Sequence, residues 1–233
     1  MSNINVFIAG DSTASSYAES RSPRAGWGQV LGRFFTSNVT VHNHASSGRS
    51  SKSFIDEGRL KVIEAQLMPG DYFLIQFGHN DAKVDKKRYT DPESSYKYYL
   101  THYIEVAHKK GAHPIFLTSI QRRSFDDDGR IIETHGQYPV AMKKLAEEKN
   151  VPLIDLTLKS KILFEQLGPD QTKQLFLWIE PGEHPNYVQG IQDDTHFSEY
   201  GAREMVELII EGITEQSLPL ARYITEGGTY EDG

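Results

Sequence analysis

Short apolar runs alternate along this chain with longer stretches in which apolar residues recur every three to four positions. The runs at 5–9, 39–45, 71–77, 114–120 and 152–156 predict strands. The stretches 26–35, 54–67, 92–110, 138–149 and 198–215 predict helices. Strand and helix signals in strict alternation predict an α/β fold, a parallel sheet with helices on both faces. Two segments break the rhythm. Residues 121–134, with Asp126-Asp127-Asp128-Gly129, predict a hairpin-like excursion after the fourth strand, and residues 169–192, with Pro181, Gly182, Pro185 and Gly190, predict irregular loop. There is no internal repeat and no linker, so residues 1–224 read as one domain, and the acidic, glycine-rich tail 225–233 is expected to be mobile.

Composition narrows the function classes. A chain of 233 residues with 38% hydrophobic content can bury a full core. No apolar stretch is long enough to span a bilayer. No basic-apolar-small leader opens the chain, which gives the expectation of a cytoplasmic protein. The absence of cysteine excludes disulfides and thiolate metal sites. A net charge of −7 with no basic stripe argues against nucleic acid, and a polyanionic ligand would need a local cluster of cations.

The first strand ends in Gly10-Asp11-Ser12-Thr13, so a tight turn lifts a small hydroxyl to the carboxyl edge of the sheet, where ligands of open α/β sheets bind. Ser12 there is a candidate nucleophile, and near the far end of the chain Asp193-Asp194-Thr195-His196 supplies a base. His196 would take the proton of Ser12, with Asp193 on a turn holding the other ring nitrogen. Asp194 is the alternative orienter, and both aspartates also suit the cap of the helix that follows. Donors for an oxyanion come from the segment after the second strand, where Gly48 lets a backbone N–H approach, and from Gly78-His79-Asn80-Asp81 after the third, where the Asn80 amide can donate. Each of these segments taken singly also reads as an ordinary turn. Together they suggest a serine esterase.

The ordered blocks Gly10-Asp11-Ser12, Gly48, Gly78-His79-Asn80-Asp81 and Asp193-to-His196 resemble the SGNH (GDSL-type) hydrolase superfamily. With Gly26-Trp27-Gly28, Gly48-Arg49-Ser50 and Asp194-Thr195-His196-Phe197 added, the chain is most similar to rhamnogalacturonan acetylesterases. The resemblance implies a three-layer α/β/α sandwich with a five-stranded parallel sheet. It implies Ser12, Gly48 and Asn80 as oxyanion donors, the first two through backbone N–H, and Asp11 and Asp81 as loop-shaping rather than catalytic. The activity implied is removal of acetyl groups from a plant-cell-wall polysaccharide such as rhamnogalacturonan, with no cofactor. The alternatives are an esterase of the same superfamily acting on acetylated xylan or small acyl esters, and a carbohydrate-binding protein without turnover.

Other polar residues are weighed against that reading. His42 and His44 share a face of the second strand but have no third ligand, so no metal site is expected. His79 is a candidate at the pocket mouth, although His79, His135 and His184 read first as solvent-facing loop residues. Trp27 serves either as a sugar-stacking wall or as packing between helix and sheet. The stretch with Tyr96, Tyr98, Tyr99 and Tyr103 reads as core and rim. Arg49, Arg122 and Arg123 are candidates to meet uronate carboxylates, with surface ion pairing as the other reading.

Overall fold

The structure is a computed structural model that describes residues 3–225. Its centre is a five-stranded parallel sheet in the order β3-β1-β4-β5-β6. The strands are β1 (Ile4–Gly10), β3 (Val39–Asn43), β4 (Tyr72–Gln76), β5 (His113–Leu117) and β6 (Leu153–Ile154). Side chains alternate between faces along each strand, and both faces are apolar. Val6, Ile8, Leu74, Ile115 and Leu117 pack on one side against α1 (Trp27–Val30), α6 (Leu156–Gln171) and α7 (Glu199–Glu215). Phe7, Ala9, Phe73, Ile75 and Phe116 pack on the other against α2 (Ser51–Asp56), α3 (Arg59–Gln66), α4 (Lys97–Lys109) and α5 (Tyr138–Lys149). This is the expected three-layer sandwich.

Several elements depart from the sequence pattern for local reasons. The helix expected over 26–35 is one α-turn followed by a 3-10 turn. The helix expected over 54–67 is broken into α2 and α3 at Gly58, whose φ of +76° suits a residue with no Cβ. The fifth strand keeps only Leu153 and Ile154, and α6 begins at once behind Asp155, whose side chain caps it. The largest difference lies in 169–192, expected as loop. There β7 (Phe176–Ile179) pairs antiparallel with β8 (Ile191–Ser198), and β2 (Arg24–Ala25) joins the other edge of β8, making a small second sheet. The 121–134 excursion does fold back on itself, with Phe125 bridging Ile131. Thr225 is held, its N–H donating to Phe34 O at 3.0 Å, and the rest of the tail lies outside the described residues. No described helix is long and apolar enough to cross a membrane.

Candidate active site

β1 lies between β3 and β4 and is buried over its last five residues, so the turn that follows it starts from a fixed base. Asp11 shapes the turn. Its Oδ1 accepts from Thr13 N and Thr13 Oγ1, both at 2.9 Å, and its carbonyl accepts from Ser15 Oγ at 2.8 Å. Ser12, at the tip, is half-buried. Beneath it Gln76, the lone polar side chain of β4, accepts from Trp27 Nε1 at 2.8 Å and from Thr13 Oγ1 at 3.0 Å, and donates to Thr118 O at 3.2 Å. A buried amide with its hydrogen-bonding capacity used in this way locks the turn to three elements.

His196 arrives from the second sheet. Its Nε2 lies 3.0 Å from Ser12 Oγ, and its Nδ1 lies 2.7 Å from Asp193 Oδ2. With Nδ1–H donating to the carboxylate, Nε2 is free to accept from the hydroxyl. These residues were expected on a turn but sit within β8, where alternation alone would send side chains three apart to opposite faces. A bulge resolves this. Phe176 pairs with Phe197 but Leu177 already pairs with Asp193, so Asp194, Thr195 and His196 have no partners across the ladder. Asp193 Oδ1 takes the freed N–H groups of Thr195 and His196 at 2.9 and 3.0 Å. Burial pushes the Asp193 carboxyl up, but the hydrogen bond and charge of His196 and the two backbone donors outweigh it and hold it at about 2.

Asp194 points away. Its Oδ1 accepts from Arg123 Nη1 at 2.9 Å and Trp178 Nε1 at 2.8 Å, and Arg123 stacks 4.6 Å above the Trp178 ring. The helix cap is Ser198, whose hydroxyl accepts from Gly201 N, so neither aspartate fills that role.

Gly48, at φ +80°, occupies the turn before α2, and no atom lies where its Cβ would project. Asn80 is buried and donates one Nδ2 hydrogen to Arg49 O at 3.1 Å, which ties the two loops together and leaves its second hydrogen free. Asp81 accepts from Ser51 N, Ser51 Oγ and Thr90 Oγ1, and Tyr103 donates to Ser51 O at 2.7 Å. Tyr96 and Tyr103 are therefore core, while Tyr98 is exposed, in keeping with the core-and-rim reading. Desolvation raises Asp81 to about 7 and Asp11 to about 6, against the hydrogen bonds that each accepts. Tyr17 went unnoticed in the sequence: its hydroxyl donates to Ser12 O at 2.6 Å and lies 3.1 Å from Ser47 Oγ, with Arg24 stacked on its ring at 4.4 Å. Gln76 was missed as well, although one polar residue in an otherwise apolar run is a visible signal.

Some sequence candidates are placed differently. Trp27 is wholly buried, so it packs and cannot form a sugar wall. His79 and His135 are buried against each other, His135 Nε2 lying 3.0 Å from His79 Nδ1, so neither faces solvent and His79 does not line the pocket mouth. Burial, with Arg122 nearby, pushes both rings well below the ordinary histidine range. His184 stays in its loop, its Nδ1 accepting from Asn186 N. Arg123 is only 12% exposed and is spent on Asp194 and Pro169 O. Arg49 pairs with Glu57 at 2.9 Å. Arg122 donates to Thr134 Oγ1 at 3.0 Å and has no carboxylate within ion-pair reach among the described residues. His42 stacks on Phe7 at 4.7 Å with Nε2 at 3.1 Å from Asn5 Oδ1, and no group of three metal-ligating side chains occurs among the described residues.

The three-layer sandwich holds a hydroxyl, an imidazole and a carboxylate in line at the carboxyl edge of its sheet, an arrangement with the geometry that acyl transfer by a serine requires. The chain belongs to the GDSL-like lipase/acylhydrolase family, whose model matches residues 6–209, and it is a carboxylic ester hydrolase. It is 53% identical over 221 residues to the rhamnogalacturonan acetylesterase RhgT of Bacillus subtilis, covering 95% of this chain and 94% of that protein. The solved structure of protein YxiM from Bacillus subtilis superposes with a TM-score of 0.80 at 29% identity over 94% of this chain, which spans 58% of that structure. Axe2, an acetylxylan esterase from Geobacillus stearothermophilus, superposes with a TM-score of 0.65 at 15% identity, covering 91% of this chain and 94% of Axe2, a likeness of fold alone.

Proposed function

We propose that this chain removes acetyl groups from rhamnogalacturonan saccharides through an acyl-enzyme on Ser12. The observation that carries the reading is the line Ser12 Oγ, His196, Asp193, joined at 3.0 and 2.7 Å. His196 Nε2 takes the hydroxyl proton as Ser12 Oγ attacks the acetyl carbonyl, and Asp193 stabilises the imidazolium that forms. The N–H groups of Ser12 and Gly48 and the free Nδ2 hydrogen of Asn80 receive the developing oxyanion. Collapse of the intermediate breaks the C–O bond to the sugar, and His196 returns the proton to the leaving alkoxide. Water, activated by the same imidazole, then attacks the acyl-enzyme and releases acetate. The saccharide assignment is supported by the similarity to RhgT along nearly the whole of both chains.

Acetate release measured side by side on acetylated rhamnogalacturonan, acetylated xylan and an aryl acetate tests the reading. Rhamnogalacturonan is expected to be the best saccharide substrate, and Ser12→Ala should lower kcat by at least about a thousandfold with the fold retained. Full activity of Ser12→Ala removes the mechanism, and a clear preference for xylan removes the substrate.

A further inference from the structure

An open groove of about 680 Å³ begins at Gly48 and is walled by the cations Arg49, Lys86, Lys87 and Arg88 and the carboxylates Glu57 and Asp85. We propose that this groove is a subsite for the uronate carboxylates of the saccharide whose acetyl group lies at Ser12. The inference deepens the proposed substrate reading and rests on it.

Three observations point the same way. First, the backbone of the loop that carries the cations is held in place. Thr90 N donates to Asp81 O and Thr90 Oγ1 to Asp81 Oδ1, both at 3.0 Å, which pins the loop's two ends to one buried residue. Inside it, Asp85 Oδ1 accepts from Lys87 N and Arg88 N at 3.2 and 3.0 Å, and Lys83 N donates to Asn80 O at 3.1 Å. A compact loop closed by its own hydrogen bonds is a preorganised platform. Second, the local charge is unbalanced. Asp85 is committed to Arg88 at 2.7 Å, and Glu57 is shared between Arg49 at 2.9 Å and Arg59 at 2.8 Å. Lys86 and Lys87 are exposed and have no carboxylate within ion-pair reach among the described residues. On a chain of net charge −7, a groove with surplus positive charge is where an anion is drawn. Third, the register fits the chemistry. Arg49 is the residue after the candidate oxyanion glycine, and its carbonyl accepts from Asn80 Nδ2 at 3.1 Å, so the groove's wall adjoins the second candidate donor. A saccharide with its acetyl carbonyl at Gly48 and Asn80 would extend along the groove past the two free ammonium groups. The flexible, solvated lysines suit a carboxylate whose position shifts with sugar ring and acetyl position.

The test compares the double variant K86Q/K87Q with a charge-matched control, K61Q/K149Q, which changes exposed lysines outside the groove. The readout is kcat/KM on acetylated rhamnogalacturonan oligosaccharide divided by kcat/KM on a neutral aryl acetate. K86Q/K87Q is expected to lower this ratio about five- to tenfold, through KM, since two exposed charge contacts are removed. The control should leave the ratio in place. In the parent enzyme the ratio should fall as sodium chloride rises from about 20 to about 300 mM, and the fall should be shallower in K86Q/K87Q. An unchanged ratio, an equal loss in the control, or an equal loss on the methyl-esterified oligosaccharide overturns the proposal. Inhibition of aryl acetate hydrolysis by unacetylated oligogalacturonide separates the two readings. Inhibition that K86Q/K87Q weakens upholds the groove even if acetylated rhamnogalacturonan proves a poor substrate, and inhibition that it leaves intact sinks the groove even if the substrate reading holds.

Discussion

Ser12 ends a strand with a neighbour on either side and helices on both faces, whereas His196 and Asp193 stand in a bulge of a three-stranded sheet whose site-bearing strand is mostly half-buried. The two regions hold their side chains by different means. The large sheet fixes its turn from below, by packing and by the Trp27–Gln76–Thr13 network. The small sheet fixes its residues from within, by hydrogen bonds from the bulge backbone to Asp193 and by the clasp of Asp194 on Arg123 and Trp178. Burial sets where the hydroxyl is, and a few polar contacts set where the imidazole is aimed.

The sharpest way to break this contrast is at the two adjacent aspartates. Asp193→Asn removes the carboxylate that orients and stabilises the imidazole, and kcat should fall about a thousand- to ten-thousandfold. Asp194→Ala removes only the clasp. It should cost about 1–3 kcal/mol of stability, read by urea denaturation, with a far smaller loss of kcat. If Asp194 proved the more damaging of the two in rate, the division between orienter and clasp would be wrong.

On the other side, Trp27→Phe keeps an aromatic ring but is smaller than the indole and takes one of the two donors from Gln76 Oε1. Stability should fall by about 1–3 kcal/mol, from the lost buried hydrogen bond and the space left behind. KM for the saccharide should stay the same, because Trp27 is buried and touches no solvent. A rise in KM with unchanged stability would restore the sugar-wall reading.

A further expected effect, one spread over the whole acid range, is in pH. Asp81 and Asp11 have folded-state values of about 7 and 6, above the usual 3.8, so the folded protein binds more protons than the unfolded chain between those limits. Stability from these groups is therefore full below about pH 4 and declines as pH rises toward 7, by at most about 1.4 kcal/mol per pH unit for each group. Asp193, held at about 2, has the opposite sign: its contribution is full above about pH 4 and is lost as pH falls toward 2. Denaturation curves should show the first slope flattened in Asp81→Asn and the second in Asp193→Asn.

The same contrast explains what could be read from the sequence. β4 is buried at every residue and β1 at its last five, which requires the nearly continuous apolar runs that made the parallel sheet and the place of Ser12 legible. β7 and β8 are partly solvated, and their pairing depends on a bulge that no periodicity encodes, so β7 and the start of β8 fall in a segment that reads as loop. Asp193 was nevertheless assigned to the imidazole, because the short spacing survives whether the backbone turns or bulges. The histidines at 79 and 135 misled for the converse reason. Polar residues in loops look solvent-facing, yet these two satisfy one nitrogen each against the other and are buried as a pair. The arginines were singled out by type alone, and type does not reveal that Arg123 and Arg49 already have carboxylate partners within the fold.

The hydroxyl and the imidazole that meet at 3.0 Å are separated by 184 positions in the chain. Until the segments that carry them meet, the hydroxyl has no imidazole beside it. Closing so long a span carries a loop-closure cost and lengthens the search for the native contact. Hydrolysis of a simple aryl acetate is thus expected to report the docking of the small sheet on the turn after β1, and after dilution from denaturant it should recover no sooner than that contact forms.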